Sequence, residues 1–196
     1  MGKREQNKLL VRQRLLKEAR YLFTEKGLEH TTVADIVAAA SIGRGTYYNY
    51  FSDVKSIFTV LIEDMNTQID EVVQKSRQDA TSVYELFYLS FKSYFDFVSQ
   101  PDLKAFHQKN QIYLRNIAYN TESIKRIIKD VQALLQEKKG VGDFEDGYEI
   151  QLLSILLVGT PVELFLNLNN MQIDISNDKL AAFLAKLFTK SVKHSE

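Results

Sequence analysis

The chain contains no cysteine, and its 25 basic and 25 acidic side chains leave a formal net charge of zero. The lack of cysteine excludes disulfide bonds and thiolate metal sites, and it fits the reducing cytoplasm. The first ten residues, MGKREQNKLL, are basic but lack the apolar stretch of a secretory signal peptide, so we expect a cytoplasmic protein. With 196 residues and 45% hydrophobic composition, the chain can form one or two domains with a substantial core.

Signatures of catalysis and of metal binding are also missing. The three histidines, His30, His107 and His194, do not have the spacing of metal ligands, and neither H-E-x-x-H nor G-x-S-x-G occurs. Gly140-Val141-Gly142 is a G-x-G without a preceding strand, which is weak evidence for a phosphate site. We therefore predict that the protein is not an enzyme and uses neither a cofactor nor a metal.

Helical periodicity dominates the chain, and no β-strand pattern of any length appears. Apolar residues recur three and four positions apart in every long segment, which predicts an all-α protein. The predicted long helices cover residues 8–26, 54–75, 82–99, 102–118, 121–138, 145–167 and 177–192.

The segment IQLLSILLVGTPVELFLNL is apolar enough to suggest a transmembrane helix. Gln151, Pro161, Glu163 and Asn167 interrupt it, and neither flank carries a basic cluster. We therefore favour a buried core or interface helix, with no membrane partner. Two late apolar helices suit a four-helix interface with a second copy of the chain, and so predict a homodimer through the last two helices.

The zero net charge conceals an asymmetry between the two ends of the chain. Residues 1–60 contain ten Lys and Arg side chains against six Asp and Glu, a net charge of +4, so the remainder carries −4. A basic N-terminal module on an acidic body suits a DNA-binding head, although a solvated helix face gives a similar count. Residues 2–8 are expected to form a mobile arm, in which Lys3 and Arg4 either reach phosphates or a minor groove, or do nothing.

The segment Thr31–Phe51, TTVADIVAAASIGRGTYYNYF, predicts two short helices joined by a tight turn. Thr32 is a suitable N-cap, and Asp35 lies three residues later, in the pattern of a capping box. Ser41-Ile42-Gly43 breaks the first helix, and a second begins at about Arg44. Such a pair is a helix-turn-helix, whose second helix enters the DNA major groove N-terminus first.

The order of residues in this region resembles a known family. Glu25-Lys26-Gly27, Thr31-Thr32-Val33, Asp35-Ile36, Ala39-Ala40 and Gly45-Thr46-x-Tyr48-x-Tyr50-Phe51 are similar to the N-terminal domain of TetR-family transcriptional regulators, over about residues 8–65. The resemblance implies a homodimer that binds operator DNA and has a C-terminal body for a small molecule that weakens DNA binding.

The second short helix supplies the candidate DNA contacts. Arg44, Thr46 and Tyr47 lie at its start, within reach of base edges, and Gly45 allows the backbone to approach the DNA. Ile42, Tyr48 and Phe51 are expected in the core. For Tyr47 and Tyr50, the alternative to a DNA contact is that they too are packed aromatic side chains. Phosphate contacts are predicted for the remaining members, and the resemblance adds a basic residue of the next helix. The full predicted set is Thr31, Thr32, Arg44, Gly45, Thr46, Tyr47, Asn49, Tyr50 and Lys55.

Three positions depart from the family pattern. Ser41 stands where glycine is usual, so a left-handed residue there would be strained. Gly43 replaces the usual serine cap of the second helix. Val54 replaces a lysine, and the positive charge moves to Lys55, while Asp53 still caps the next helix. These departures bear on how strongly the head binds DNA.

A small-molecule site in the body is the second prediction. Polar groups among aromatic side chains are typical of ligand pockets, and the aromatic bias favours an apolar or aromatic effector. The alternative is that the aromatics are plain core and Glu163 a surface or interface carboxylate. The candidates are Phe87, Phe91, Tyr94, Phe95, His107, Tyr113, Arg115, Asn116 and Glu163.

We therefore predict an all-α DNA-binding regulator, and we expect it to be a repressor. Its helix-turn-helix domain is predicted at residues 1–53, and its effector-binding and dimerisation domain at residues 54–196. The helix at residues 54–75 is the expected transmitter between them. One alternative is a DNA-binding regulator with the same fold that responds to a protein partner or to no ligand. A remote alternative is an all-α enzyme or lipid carrier.

Overall fold

The computed structural model describes residues 2–117, 120–137 and 147–192. Throughout this part of the chain the regular secondary structure is α-helical. The helices are α1 (Lys3–Lys26), α2 (Val33–Ala39), α3 (Arg44–Tyr48), α4 (Val54–Ser76), α5 (Val83–Val98), α6 (Pro101–Ile117), α7 (Glu122–Glu137), α8 (Gly147–Asn170) and α9 (Asn177–Val192). The predicted all-α fold is confirmed. Gly140, Gly142 and His194 lie outside the described residues.

The main difference from the sequence-based boundaries is at the N-terminus. Residues 3–8, predicted as a mobile arm, are the first turns of α1, so that prediction is wrong. The segment KREQNK consists mainly of strong helix formers, and it extends a helix whose later turns are packed. At the other end of α1, Gly27 has φ +81°, a conformation that favours glycine.

Helices α1, α2 and α3, the first half of α4 and α6 form one compact unit, residues 1–65 and 101–121. Within it, α1 packs against both α2 and α6. The ring of Phe58 in α4 lies edge-on to Phe23 of α1, with centroids 5.2 Å apart, and stacks on Phe106 of α6 at 5.6 Å. All three rings are buried, so this aromatic cluster is the centre of the unit.

The second unit comprises residues 66–100 and 122–196. Its core is formed mainly by α5 and α9, and α7 and α8 pack together beside it. Phe188 of α9 lies 6.3 Å from Phe87 and 5.7 Å from Phe91 of α5, measured between ring centroids. Ser82 caps α5 by accepting the Glu85 N–H. The aromatic character of α5 thus reflects its central position.

Helix α8 has two different faces. Leu153, Leu157, Phe165 and Leu166 are buried in the core of the second unit. On the opposite side, an exposed apolar stripe recurs at helical spacing, and α8 is long and apolar enough by composition to cross a membrane. The helix is continuous on both sides of Pro161. The members of the stripe are Tyr148, Leu152, Ile155 and Leu156.

The two units do not coincide with the predicted division at residue 53. The boundary falls within α4, after Met65, and α6 belongs to the first unit although its neighbours α5 and α7 belong to the second. The division into residues 1–53 and 54–196 concerns DNA binding and effector binding, and it stays a prediction.

Candidate nucleic-acid interface

The turn between α2 and α3 is made by Ser41 and Gly43. Ser41 has φ +51°, as the sequence predicted, which is a strained conformation for a residue with a side chain. Gly43 is the N-cap of α3, with extended backbone, and its carbonyl accepts the Thr46 N–H at 2.9 Å. Gly43 has no side chain to add a capping bond. The five-residue helix α3 is therefore fixed mainly by its neighbours.

The predicted capping box at the start of α2 is confirmed. The Thr32 hydroxyl oxygen accepts the Asp35 N–H at 3.2 Å, and an Asp35 carboxylate oxygen accepts the Thr32 N–H at 2.8 Å. The same oxygen lies 2.8 Å from the Lys26 ammonium. The Lys26 interaction and the bonds from Thr32 lower the pKa of Asp35 to about 2. One carboxylate thus ties the end of α1 to the start of α2.

Tyr47 and Tyr48, the last two residues of α3, have orientations opposite to those predicted. Tyr47 is completely buried, and its hydroxyl donates to the Asp53 carbonyl at 2.8 Å. Burial raises the pKa of Tyr47 to about 12. Tyr48 is 49% exposed. The prediction of Tyr47 as a DNA contact and Tyr48 as a core residue is therefore wrong, because Tyr47, not Tyr48, points toward Phe51 and the core.

Tyr48 instead joins Arg44 on the exposed face of α3. An Arg44 guanidinium nitrogen lies 3.4 Å from the Tyr48 hydroxyl, and the guanidinium carbon lies 5.9 Å from the centre of the Tyr48 ring. Sequence reasoning missed Tyr48, although positions four apart share a helix face. Arg44, Gly45 and Asn49 are exposed, and Thr46 and Tyr50 are half-buried. This set of side chains is the exposed surface of α3.

Gly45 has no intramolecular reason to be glycine. A Cβ built on it meets no atom within 4 Å, and its φ is not positive. Because glycine is unfavourable inside a helix, the position costs stability without serving the packing. The fold of the first unit thus does not require glycine at this position.

The threonines at the start of α2 differ in their exposure. Thr31 is buried, and its hydroxyl donates to the Gly27 carbonyl at 2.7 Å. The Thr31 hydroxyl proton thus already has an internal acceptor. Thr32 is exposed, although its hydroxyl donates to Asp35 at 2.8 Å. The predicted phosphate contact by Thr31 or Thr32 stays a prediction.

The start of α4 completes this surface. The Asp53 carboxylate accepts the Ser56 N–H at 2.7 Å, which confirms the predicted cap. Lys55 is the second residue of α4 and is exposed. A basic side chain at a helix N-terminus lies beside unpaired backbone N–H groups, an arrangement that favours an anion such as phosphate.

A buried asparagine that the sequence did not reveal secures the turn after α1. Asn110 is 1% exposed and has non-helical backbone angles within α6, φ −120° and ψ 17°. Its Nδ2 donates to the carbonyls of Phe23 (2.9 Å) and Phe106 (2.7 Å), and its Oδ1 accepts the Leu28 N–H at 2.7 Å. Asn110 therefore caps the end of α1 from a helix more than 80 residues later.

The predicted effector residues are distributed over both units. Phe87, Phe91, Tyr94 and Phe95 are buried in the core of the second unit, and Glu163 is half-buried on α8. The others lie on α6, in the first unit. There Arg115 and Asn116 are exposed, Tyr113 is half-buried and His107 is buried. The effector set therefore forms no single site within either unit, and it stays a prediction.

His107 is a buried core histidine. Its Nδ1 donates to the Leu103 carbonyl at 2.7 Å, and burial lowers its pKa. Over the described ranges of the chain, no group of three or more His, Cys, Asp or Glu side chains could hold a metal ion.

The first unit contains two short helices joined by a tight turn, and the second of them exposes basic and polar side chains. This geometry is that of a DNA-binding helix-turn-helix domain. The profile described as bacterial regulatory proteins of the tetR family matches residues 15–59. Over these residues the chain is similar to the DNA-binding domain of TetR-family transcriptional regulators.

Individual relatives show the same similarity. YfiR of Bacillus subtilis (strain 168), an HTH-type transcriptional regulator, is 34% identical over 82 residues, which are 42% of this chain and 38% of YfiR. The transcriptional repressor DhaR of Mycobacterium sp. (strain GP1) is 27% identical over 71 residues, 36% of each chain. The alignments therefore span less than two-fifths of the length of these curated relatives.

Solved structures share the fold over nearly the whole chain. The fatty acid degradation regulator FadR from Bacillus halodurans superimposes with a TM-score of 0.72 and 20% identity, covering 94% of this chain and 97% of its own. FadR from Bacillus subtilis, solved in complex with stearoyl-CoA, gives a TM-score of 0.70 and 18% identity, covering 92% and 98%. At this identity the likeness establishes a common fold.

Proposed function

We propose that this protein is a homodimeric, sequence-specific DNA-binding transcriptional repressor that a small apolar or aromatic effector releases from its operator. The observation that carries the proposal is the exposed surface of α3, where Arg44 and Gly45 lie at the helix N-terminus above the buried Tyr47. We propose a cytoplasmic location and no catalytic activity, as expected of a regulator.

The DNA contacts follow from the orientation of side chains on α3. Arg44 can bind guanine with two hydrogen bonds, and Thr46 can offer its methyl group to thymine. Tyr48 and Tyr50 carry hydroxyls that can donate to phosphate, as can Asn49 through its amide and Lys55 through its ammonium. Gly45 allows the helix backbone to approach the DNA closely, which accounts for a glycine that the fold does not need.

A dimer would present two such helices. The exposed apolar stripe of α8 and the exposed Phe183 and Leu187 of α9 suit burial against a second copy, because contiguous exposed apolar surface is rare on monomers. Two heads related by a two-fold axis would contact half-sites roughly 34–36 Å apart, one turn of DNA. Size measurement in solution, with Phe183→Lys expected to yield monomers, tests this interface.

Effector binding in the body is the second part of the proposal. A ligand that prefers another separation of the heads would weaken operator binding, and a complete switch requires about 5.5 kcal/mol of differential binding. The helix α4, which contributes residues to both compact units, is the proposed transmitter. The stearoyl-CoA bound by Bacillus subtilis FadR supports including long acyl chains among the apolar compounds to be tested.

Titration of the purified protein against DNA upstream of its own gene, with random DNA as the control, tests the DNA-binding proposal. Tight binding to a pseudo-palindrome by two protomers, with a steep salt dependence, is the expected result. Equal binding to all sequences, also after selection from a random pool, would contradict it.

A residue-level test concerns Arg44. If Arg44 binds guanine, Arg44→Ala should relax specificity at one base pair of each half-site, at a cost of about 1–3 kcal/mol. A uniform loss over all sequences would instead make Arg44 a phosphate contact. Effector release is tested separately by adding apolar compounds to the complex: unchanged operator affinity with every bound compound would favour a regulator that answers a protein partner or no ligand.

A further inference from the structure

The first turns of α1 extend from the rest of the described chain. Residues 2–10 are all exposed, yet they are helical from Lys3 onward. Between Lys3 and Lys17 the helix carries six basic side chains, and Glu5 is its one carboxylate there. A helical segment without packing partners contributes little to the stability of a core, so its charge calls for another explanation.

Three of the basic side chains form a line, which we call the basic row: Arg4, Lys8 and Arg12. They lie four residues apart, so successive members are roughly 6 Å apart along the helix and turn only slightly around it. Arg14 and Lys17 lie roughly 120° and 180° around the helix from the middle of the row. The row is therefore one face of α1, and an equally exposed basic pair on another face is available for comparison.

The inner end of the basic row lies next to the helix-turn-helix. The Arg12 guanidinium carbon is 5.9 Å from the centre of the Phe51 ring. Phe51 lies three residues after the end of α3 and contacts Tyr47. Asp53, the cap of α4, lies two residues further on. The basic row thus starts where the proposed base-reading helix ends and runs outward from it.

The helical form of this segment limits what it can bind. An α-helix with its side chains is about 10–12 Å across, whereas the minor groove is about 6 Å wide. The segment cannot enter a minor groove as an extended arm would. A row of cations with a spacing of roughly 6 Å suits a line of phosphates on the surface of the duplex instead.

We propose that the basic row Arg4–Lys8–Arg12 is an accessory contact surface for the sugar-phosphate backbone of DNA, beside the bases contacted by α3. This inference rests on the proposed DNA-binding function and extends it to α1. Contacts of this kind add affinity and salt dependence without sequence preference. The row would therefore strengthen binding to the operator and to random DNA by the same factor.

The test uses two variants of the full-length protein with the same charge change. Arg4→Gln/Lys8→Gln removes one Arg and one Lys from the row, and Arg14→Gln/Lys17→Gln removes one of each from the other face. Arg12 is kept because it also packs over Phe51. Circular dichroism and the free energy of unfolding should agree for both variants and the wild type.

Affinity for operator and for random DNA is then measured between about 50 and 200 mM salt. For each phosphate contact removed, the plot of log K, where K is the association constant, against log salt concentration should become less steep by about 0.9 in the row variant. This change corresponds to about fivefold weaker binding per contact at 0.15 M salt. The control variant should keep the wild-type slope. Equal changes in the two variants, or no change in the row variant, would overturn the proposal.

The two proposals fail in different ways. If the wild type has no preferred sequence, the regulator proposal fails, but the slopes on random DNA still test the basic row. If the wild type binds an operator tightly and both variants match it, the row proposal alone fails.

Discussion

The Leu28 N–H donates to Asn110 Oδ1 across 2.7 Å, and this bond joins the turn after α1 to the middle of α6. The same amide also donates to the Phe23 carbonyl, so both partners belong to the end of α1 and the turn that follows it. The turn leads directly to Thr31 and the cap of α2. A buried side chain of α6 thus helps to fix the helix-turn-helix relative to α1, together with the Lys26–Asp35 ion pair.

Replacement of Asn110 should be costly. Asn110→Ala leaves the Leu28 N–H without a partner, and such a group costs about 1–3 kcal/mol when buried. The Phe23 carbonyl loses one of two bonds, since it still accepts the Gly27 N–H at 3.1 Å. Asn110→Asp keeps the shape but places a carboxylate against two carbonyls, so it should be worse at pH 7 and recover partly in acid. Denaturant unfolding at pH 7 and pH 5 measures both. A loss below about 0.5 kcal/mol for Asn110→Ala would contradict the capping role.

Gly45→Ala should separate stability from DNA binding. Alanine is favoured over glycine in a helix by about 0.5–1 kcal/mol, and the added Cβ meets no atom within 4 Å. We expect an unchanged or higher melting temperature together with weaker operator binding. Gly43→Ala, in the preceding turn, is a control for a new methyl group outside the helix. Full operator affinity in Gly45→Ala would show that the DNA does not require a glycine there.

The two tyrosines should respond in opposite ways to loss of the hydroxyl. Tyr47→Phe removes a bond to the Asp53 carbonyl and should cost about 1 kcal/mol of stability, with little effect on DNA binding. Tyr48→Phe should leave stability unchanged and weaken DNA binding, because its hydroxyl is exposed beside Arg44. Thermal unfolding and operator titration of both variants decide the matter, and the reverse pattern would refute the orientation of α3.

Asp35 should contribute an acid-sensitive part of the stability. Its pKa is lowered to about 2 in the folded protein, from about 3.9 in an unfolded chain. The stabilisation is therefore complete above pH 4 and is lost as the pH falls toward 2. Asp35→Asn should be less stable than the wild type at pH 7, and the difference should shrink between pH 4 and 2. Asp79→Asn, at an exposed position of the second unit, is the control for the loss of one carboxylate.

Ser41 offers a stabilising substitution. Its φ of +51° costs about 1 kcal/mol or more for a residue with a Cβ, and glycine avoids most of that cost. Ser41→Gly should raise the free energy of unfolding by about 0.5–1 kcal/mol, whereas Ser41→Ala keeps the strained angle and should not. Chemical denaturation of the pair tests the strain, and equal stability of both variants would argue against it.

Local patterns predicted most of this molecule. The cap Thr32 depends on neighbours in sequence, so the residues themselves were sufficient. The strained Ser41 and the cap Asp53 were expected from the resemblance to the family. The orientation of Tyr47 and Tyr48 was mispredicted because a helix of five residues contains little more than one turn, too few to define an apolar face. Asn110 resembles any polar residue of an amphipathic helix, since its partners lie more than 80 residues away.

The brevity of α3 has an evolutionary consequence. Tyr47 and Phe51 are buried and attach this segment to the core, whereas Arg44 and Tyr48 are exposed. Substitutions at the exposed positions are nearly free of folding constraints, so the same scaffold can acquire new DNA specificities by changes at a few sites. A library randomised at residues 44, 46, 48 and 49 should therefore retain a large fraction of folded members while its preferred sequences diverge.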